Sequence, residues 1–181
     1  MKLRRRLKGV VKIKWFKIMV GVGLLLLLVG CVETEVRVYK DGKPIKEGTI
    51  LNLGEAVNNG MLEVKVLSAK KDYGYHDTLG FYEDAGYGYR YLIVTVEARN
   101  IGKREVYIDP DKFVVSDENN YFYEVKIGSL IENELLFTKI LPNQRIKGKL
   151  VFKIPEKAKI LVNYNFGDMF SKPFIVSWKI N

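Results

Sequence analysis

The sequence predicts an all-β fold, an antiparallel β-sandwich preceded by an N-terminal apolar signal helix. Three observations carry this expectation. Apolar residues alternate with polar ones in run after run, and clusters of Gly, Pro, Asn and Asp separate those runs at near-regular spacing. Only one short stretch has a helical pattern outside the leader.

The leader comes first. From Met1 to Lys17 the chain carries Lys2, Arg4, Arg5, Arg6, Lys8, Lys12, Lys14 and Lys17 and no acidic residue, a charge pattern that resists export and keeps this end in the cytoplasm. Ile18 to Gly30 is uncharged and centres on Leu24 to Leu28. That is the length of a signal-peptide apolar region and falls short of the roughly 20 apolar residues of a bilayer-crossing helix. The segment Leu28-Val29-Gly30-Cys31 resembles the lipobox of prokaryotic lipoproteins. The resemblance implies a diacylglyceryl group on the Cys31 sulfur, cleavage of the Gly30–Cys31 bond, and Cys31 as the mature N-terminus. Gly30 leaves the backbone open to a peptidase, and a thiolate is the nucleophile such chemistry requires. The alternative is an uncleaved signal anchor in which Cys31 is a small apolar residue at the membrane surface. Both readings place the rest of the chain outside the cytoplasmic membrane, and two acyl chains would hold it there stably where one would not.

The domain organisation expected is therefore a signal peptide over 1–30, a tether or β-hairpin extension over 31–47, and a sandwich over 48–181. The mature part is one domain's worth of chain with one core. Cys31 is the single cysteine, so no disulfide braces it. Most of the net charge of +9 belongs to the leader. Beyond it Lys149 and Lys153 alternate with Leu150, Phe152 and Ile154 as on the solvated face of a strand, and no basic stripe indicates nucleic-acid binding.

In the extension, Val36 and Val38 alternate with Glu35, Arg37 and Tyr39 before Asp41-Gly42, a hairpin signal. Leu62, Val64 and Val66 alternate with Glu63 and Lys65; Leu92, Val94, Val96 and Ala98 alternate with Ile93, Thr95, Glu97 and Arg99. Further strands are expected over Glu105–Ile108, Phe113–Ser116, Tyr121–Lys126, Ile146–Ile154, Lys159–Tyr164 and Phe174–Ile180. They are punctuated by Asn100-Ile101-Gly102, Asp109-Pro110-Asp111, Asp117–Asn120, Leu141-Pro142-Asn143, Pro155 and Lys172-Pro173. Gly128 to Leu136 is the one stretch with a helical signal, Ser129 standing as a cap before Glu132 and Glu134.

The runs GYRYLIVTVEARNIGKREVYIDPDKFVVSDENNYFYEV (Gly88 to Val125) and LPNQRIKGKLVFKIP (Leu141 to Pro155), with Leu53-Gly54-Glu55-Ala56-Val57 as an opening segment, resemble a telokin-like immunoglobulin-fold family of prokaryotic surface lipoproteins. It is a domain-of-unknown-function family related to secreted immunoprotective antigens. The resemblance implies an immunoglobulin-like β-sandwich in which Asn100 closes a strand, Phe113 sits in the core, Asp117 begins a turn and Gly148 precedes the Leu150-Val151-Phe152 strand. It implies no catalytic residue. Asp72 to Tyr91 is longer than the family pattern.

That segment is also the most distinctive of the mature chain. It holds Tyr73, Tyr75, Tyr82, Tyr87, Tyr89 and Tyr91, more than half of the protein's 11 tyrosines, with Phe81 and the bend-permitting Gly74, Gly80, Gly86 and Gly88. Tyrosine offers a flat apolar face with a hydroxyl at its rim, as binding loops exploit. Tyr73, Tyr75, Phe81, Tyr82, Tyr87 and Tyr89 are therefore candidate contact residues for a protein partner or cell-envelope polymer. The competing reading is that the rings cover one end of the sandwich.

Other groups argue for less. His76 is the single histidine and makes no zinc site alone. Asp109, Asp111, Asp117 and Glu118 have calcium-ligand chemistry, but turn formation already explains them. Glu83 and Asp84 are adjacent, so on a strand they point to opposite faces and make a weak hydrolytic pair. No nucleophile elbow, zinc-protease motif or phosphate loop is present. The expectation is a lipid-anchored, extracytoplasmic, non-catalytic interaction module without cofactor or metal, held to the membrane through Cys31. The alternative is a surface lipoprotein that binds a small molecule or ion.

Overall fold

The computed structural model describes residues 35–168 and 171–180, so the signal segment, Gly30 and Cys31 lie outside the described residues. The alternating runs form two facing sheets. One has six strands in the order β13 (Arg145–Pro155), β8 (Tyr89–Asn100), β5 (Leu62–Asp72), β4 (Ala56–Asn58), β1 (Tyr39–Lys40) and β2 (Lys43–Pro44). The other has five, β11 (Phe122–Glu124), β10 (Phe113–Asp117), β14 (Ile160–Asn165), β15 (Ile175–Lys179) and β3 (Ile50–Leu51). Neighbours are antiparallel except β15 and β3, which run parallel. Two further pairs are separate, β9 (Val106–Ile108) with β12 (Thr138–Ile140), and β6 (Gly74–His76) with β7 (Tyr82–Asp84).

Period-two patterning decides which face is buried. Val64, Val66, Leu92, Val94, Val96, Leu150, Phe152 and Ile154 point inward from the six-stranded sheet, and Phe113, Val115, Val162, Tyr164, Val176 and Trp178 meet them from the other. In β5 the phase changes midway. Val66 pairs with Val96 but Ser68 with Thr95, so Leu67 is an extra residue. This bulge turns Ala69, rather than Ser68, toward the core. Asp41-Gly42 closes the β1–β2 hairpin with φ of 49° and 73°, the left-handed pair that a two-residue turn demands. That hairpin is the edge of the six-stranded sheet.

The expected helix at 128–136 is a loop. Leu130 and Asn133 have φ of 54° and 60°, which no α-helix accommodates. The Glu134 carboxylate accepts bonds from the backbone N–H groups of Ser129 and Leu130, both 3.0 Å. The Ser and Glu spacing that imitates a helix cap thus closes a turn from the other direction. This loop and the residues just before it cover the open edge of β13, through the bridges Glu134–Lys149 and Val125–Phe152 respectively. Its Leu135 drops into the core over Gly148, where an added Cβ would come within 2.7 Å of the Leu135 Cβ. The one helical turn among the described residues is a 3-10 turn, Pro110–Lys112.

The sandwich has two distinct ends. At one, Asp72, Tyr91 and Lys153 are in register across β5, β8 and β13; at the other, Glu63, Arg99 and Arg145 are. β1 is antiparallel to β4 and β4 to β5, with Tyr39 level with Asn58 and Asn58 with Glu63. The chain leading into Tyr39 from Glu35 therefore arrives at the second end.

Candidate binding hairpin

The Tyr- and Gly-rich segment leaves β5 at the first end and folds back as the β6–β7 hairpin on the outer face of the six-stranded sheet. Tyr91, Ile93 and Val151 alternate with core residues and so face outward. The hairpin supplies Tyr75 and Ala85, the 128–136 loop supplies Ile131, and together they bury a second apolar cluster there. Tyr75 and Tyr91 retain only 6% and 3% exposure and meet edge to face at 5.0 Å.

A charged pin fixes the hairpin. Glu83 accepts the Tyr91 hydroxyl at 2.7 Å on Oε1 and the Tyr75 hydroxyl at 2.9 Å on Oε2, and Lys126 Nζ donates to the same carboxylate. The Lys126 hydrogen bond, then that of Tyr91, lowers the Glu83 pKa to about 2. Burial, then the bond to Glu83, pushes Tyr91 up to about 12 and Tyr75 upward as well. At the tip, Asp77 Oδ1 accepts the N–H groups of Leu79 and Phe81 at 2.9 and 2.8 Å, and Thr78 N–H donates to the Leu130 carbonyl at 2.8 Å. Gly74 is required because a Cβ there would meet the Glu83 carbonyl and the Tyr82 ring.

The candidate contact residues divide accordingly. Tyr75 is buried in the apolar cluster beneath the hairpin. Tyr73, Phe81, Tyr82, Tyr87 and Tyr89 are exposed, joined by Leu79, which sequence reasoning missed. Its one signal is its place between the turn residues Asp77 and Gly80. The Arg90 guanidinium lies 3.3 Å from the Tyr73 ring centroid and Lys153 Nζ 5.1 Å from that of Tyr89, so each of these two rings has a cation over it. Lys126, the cation of the pin, was equally invisible in sequence, since it arrives from a loop 43 residues beyond Glu83.

The remaining candidates are occupied locally. His76 is exposed, its ring 5.1 Å from that of Tyr82. Glu83 faces the pin while Asp84 Oδ1 accepts the Gly86 N–H at 2.6 Å, so the two carboxylates do not converge. Asp109 caps the 3-10 turn through Asp111 N–H, Asp117 Oδ1 accepts from Asn119 and Tyr121, and Glu118 accepts from Lys159 N–H. Among the described residues no group of three or more His, Cys, Asp or Glu is placed to hold a metal. A cleft of about 540 Å³ lies away from the hairpin, between Met61, Arg104, Tyr107, Lys112 and Phe166.

The family model described as Domain of unknown function (DUF4352) matches residues 51–175. Among solved structures the chain is similar to a candidate lipoprotein of Bacillus subtilis, ycdA, with 19% identity and a TM-score of 0.51. That likeness covers 82% of this chain but 39% of the other, so this chain spans well under half of that protein. It is similar to the yjhA protein of Bacillus subtilis, with 17% identity, a TM-score of 0.51, and coverage of 71% and 98%. It is also similar to MPT63, a secreted protein of Mycobacterium tuberculosis, with 16% identity, a TM-score of 0.52, and coverage of 72% and 96%. At these identities the likeness is one of fold. No curated protein matches the sequence.

Proposed function

We propose, on the premise that this chain belongs to the DUF4352 family, that it is a lipid-anchored, extracytoplasmic, immunoglobulin-like β-sandwich. It works by binding rather than catalysis, presenting its β6–β7 hairpin to a protein partner or cell-envelope polymer. The observation that carries this reading is the division of the hairpin. Tyr75, Glu83, Tyr91 and Lys126 lock it to the sheet, while Tyr73, Leu79, Phe81, Tyr82, Tyr87 and Tyr89 stand in water. Exposed aromatic side chains on a hairpin that is itself pinned to the sheet have the composition of a contact surface and a backbone already ordered.

The strand order supports the immunoglobulin-like assignment. β5, β8 and β13 take the places of strands A, B and E, and β11, β10, β14 and β15 those of C′, C, F and G. The signal peptide over 1–30, extension over 31–47 and sandwich over 48–181 complete the reading. The lipobox-like Leu28-Val29-Gly30-Cys31 supports the anchor, as does the description of the ycdA relative as a candidate lipoprotein. A lipid on Cys31 would confine the domain and raise its effective concentration toward neighbours.

The test is co-sedimentation of residues 32–181 with purified envelope polymer, and crosslinking of the full chain in membranes. Tyr82→Ala with Tyr87→Ala lowers binding at least 10-fold without moving the melting temperature. Retained binding with a lowered melting temperature would assign these rings to packing instead. Separately, Cys31→Ser moves the full chain from the detergent phase to the aqueous phase on detergent partition.

A further inference from the structure

We infer that the end of the sandwich opposite the hairpin is a membrane-facing surface that docks on anionic lipid headgroups. The inference rests on the lipid-anchor reading of Cys31, and it begins from where the chain enters. Glu35 approaches at this end, and only Val32 to Thr34 separate it from Cys31, a stretch that spans at most about 3.6 Å per residue.

Three loops form the rim of this end, and they are bonded to one another. Ile101 N–H donates to the Met61 carbonyl at 2.8 Å, Asn143 N–H to the Asn100 carbonyl at 3.1 Å, and Asn100 N–H to the Gln144 carbonyl at 2.9 Å. From this rim Met61, Ile101 and Leu141 project into water, 45%, 37% and 45% exposed. Around them Arg99, Lys103, Arg104 and Arg145 are exposed, and none forms an ion pair among the described residues.

Two of those cations directly oppose each other. Arg99 and Arg145 are register partners across β8 and β13, and like charges so placed cost stability. Glu63, in register on the other side of Arg99, makes no ion pair with it. A cationic pair without an ion-pair partner among the described residues, beside exposed apolar side chains, is what a headgroup layer relieves. Phosphates take the charge, and the apolar tips enter the acyl boundary. A lipid chain then holds the domain together with a basic and apolar footprint, the two-signal arrangement that makes anchoring stable. The docked pose points the β6–β7 hairpin away from the bilayer.

The experiment uses residues 32–181 without lipid, which retain every described strand and the whole core. They are sedimented with vesicles of phosphatidylcholine alone or with phosphatidylglycerol added. The protein binds the phosphatidylglycerol vesicles, binds the neutral ones far less, and is released by salt. Replacing Lys103, Arg104 and Arg145 together by Gln weakens binding about 100-fold, several-fold for each cation, with the melting temperature held or raised. Lys157→Gln at the hairpin end changes nothing. Absence of binding to phosphatidylglycerol vesicles, or binding that the triple substitution leaves intact, overturns the inference. Detergent partition of Cys31→Ser tests the anchor independently, so failure of one is read apart from failure of the other.

Discussion

Asn100 shows how much one side chain determines. It is fully buried, donates through Nδ2 to the carbonyls of Ile140 at 2.8 Å and Arg104 at 2.7 Å, and accepts the Gly102 N–H at 2.9 Å. Asn100→Ala orphans three backbone groups and costs about 3 kcal/mol, read as a lowered denaturant midpoint at constant slope. Glu83 adds a pH dependence. Its pKa falls to about 2 in the folded protein from an ordinary 4.5, so its charged form is favoured by folding. That contribution is complete above about pH 5 and fades as pH drops toward 2. Melting curves of the native protein and Glu83→Gln differ at pH 7 and converge near pH 2. The pin is half open to water, which screens it and keeps the separation small.

At the scale of elements, Gly148 is the position that lets the 128–136 loop close the sandwich edge. Gly148→Ala drives a methyl into Leu135 and costs about 1–3 kcal/mol, and Leu135→Ala placed with it recovers part of the loss, a coupling that a double-mutant cycle measures. The long strands were legible in sequence because period-two alternation is a local signal, and the Asp41-Gly42 turn because its φ requirement selects those residues. The loop at 128–136 was not, because Ser129 and Glu134 produce a cap-like spacing while the decisive partners, Leu135 and Gly148, meet only through the tertiary fold. Leu67 carries no mark of the bulge it makes, since only the partner strand reveals the extra residue. The candidate hairpin was half legible. Its aromatic content is plain in sequence, but the choice of Tyr75 and Tyr91 for burial depends on Val151 and Lys126, far along the chain.

Across the whole molecule stability converges on Trp178, fully buried between the sheets with its indole Nε1 donating to the Glu55 carbonyl at 3.0 Å. Trp178→Ala removes about 3–5 kcal/mol, a large share of the 5–15 kcal/mol that holds a typical domain, and circular dichroism follows the loss of the sandwich. Trp178 lies on β15, which sits inside its sheet between β14 and a parallel β3 contributed from more than a hundred positions earlier. The five-stranded sheet is therefore unfinished until β15 joins it, because without that strand β14 and β3 each lack a neighbour. One of the earliest strands and one of the latest thus close that half of the molecule together, a long-range pairing of the kind that slows folding.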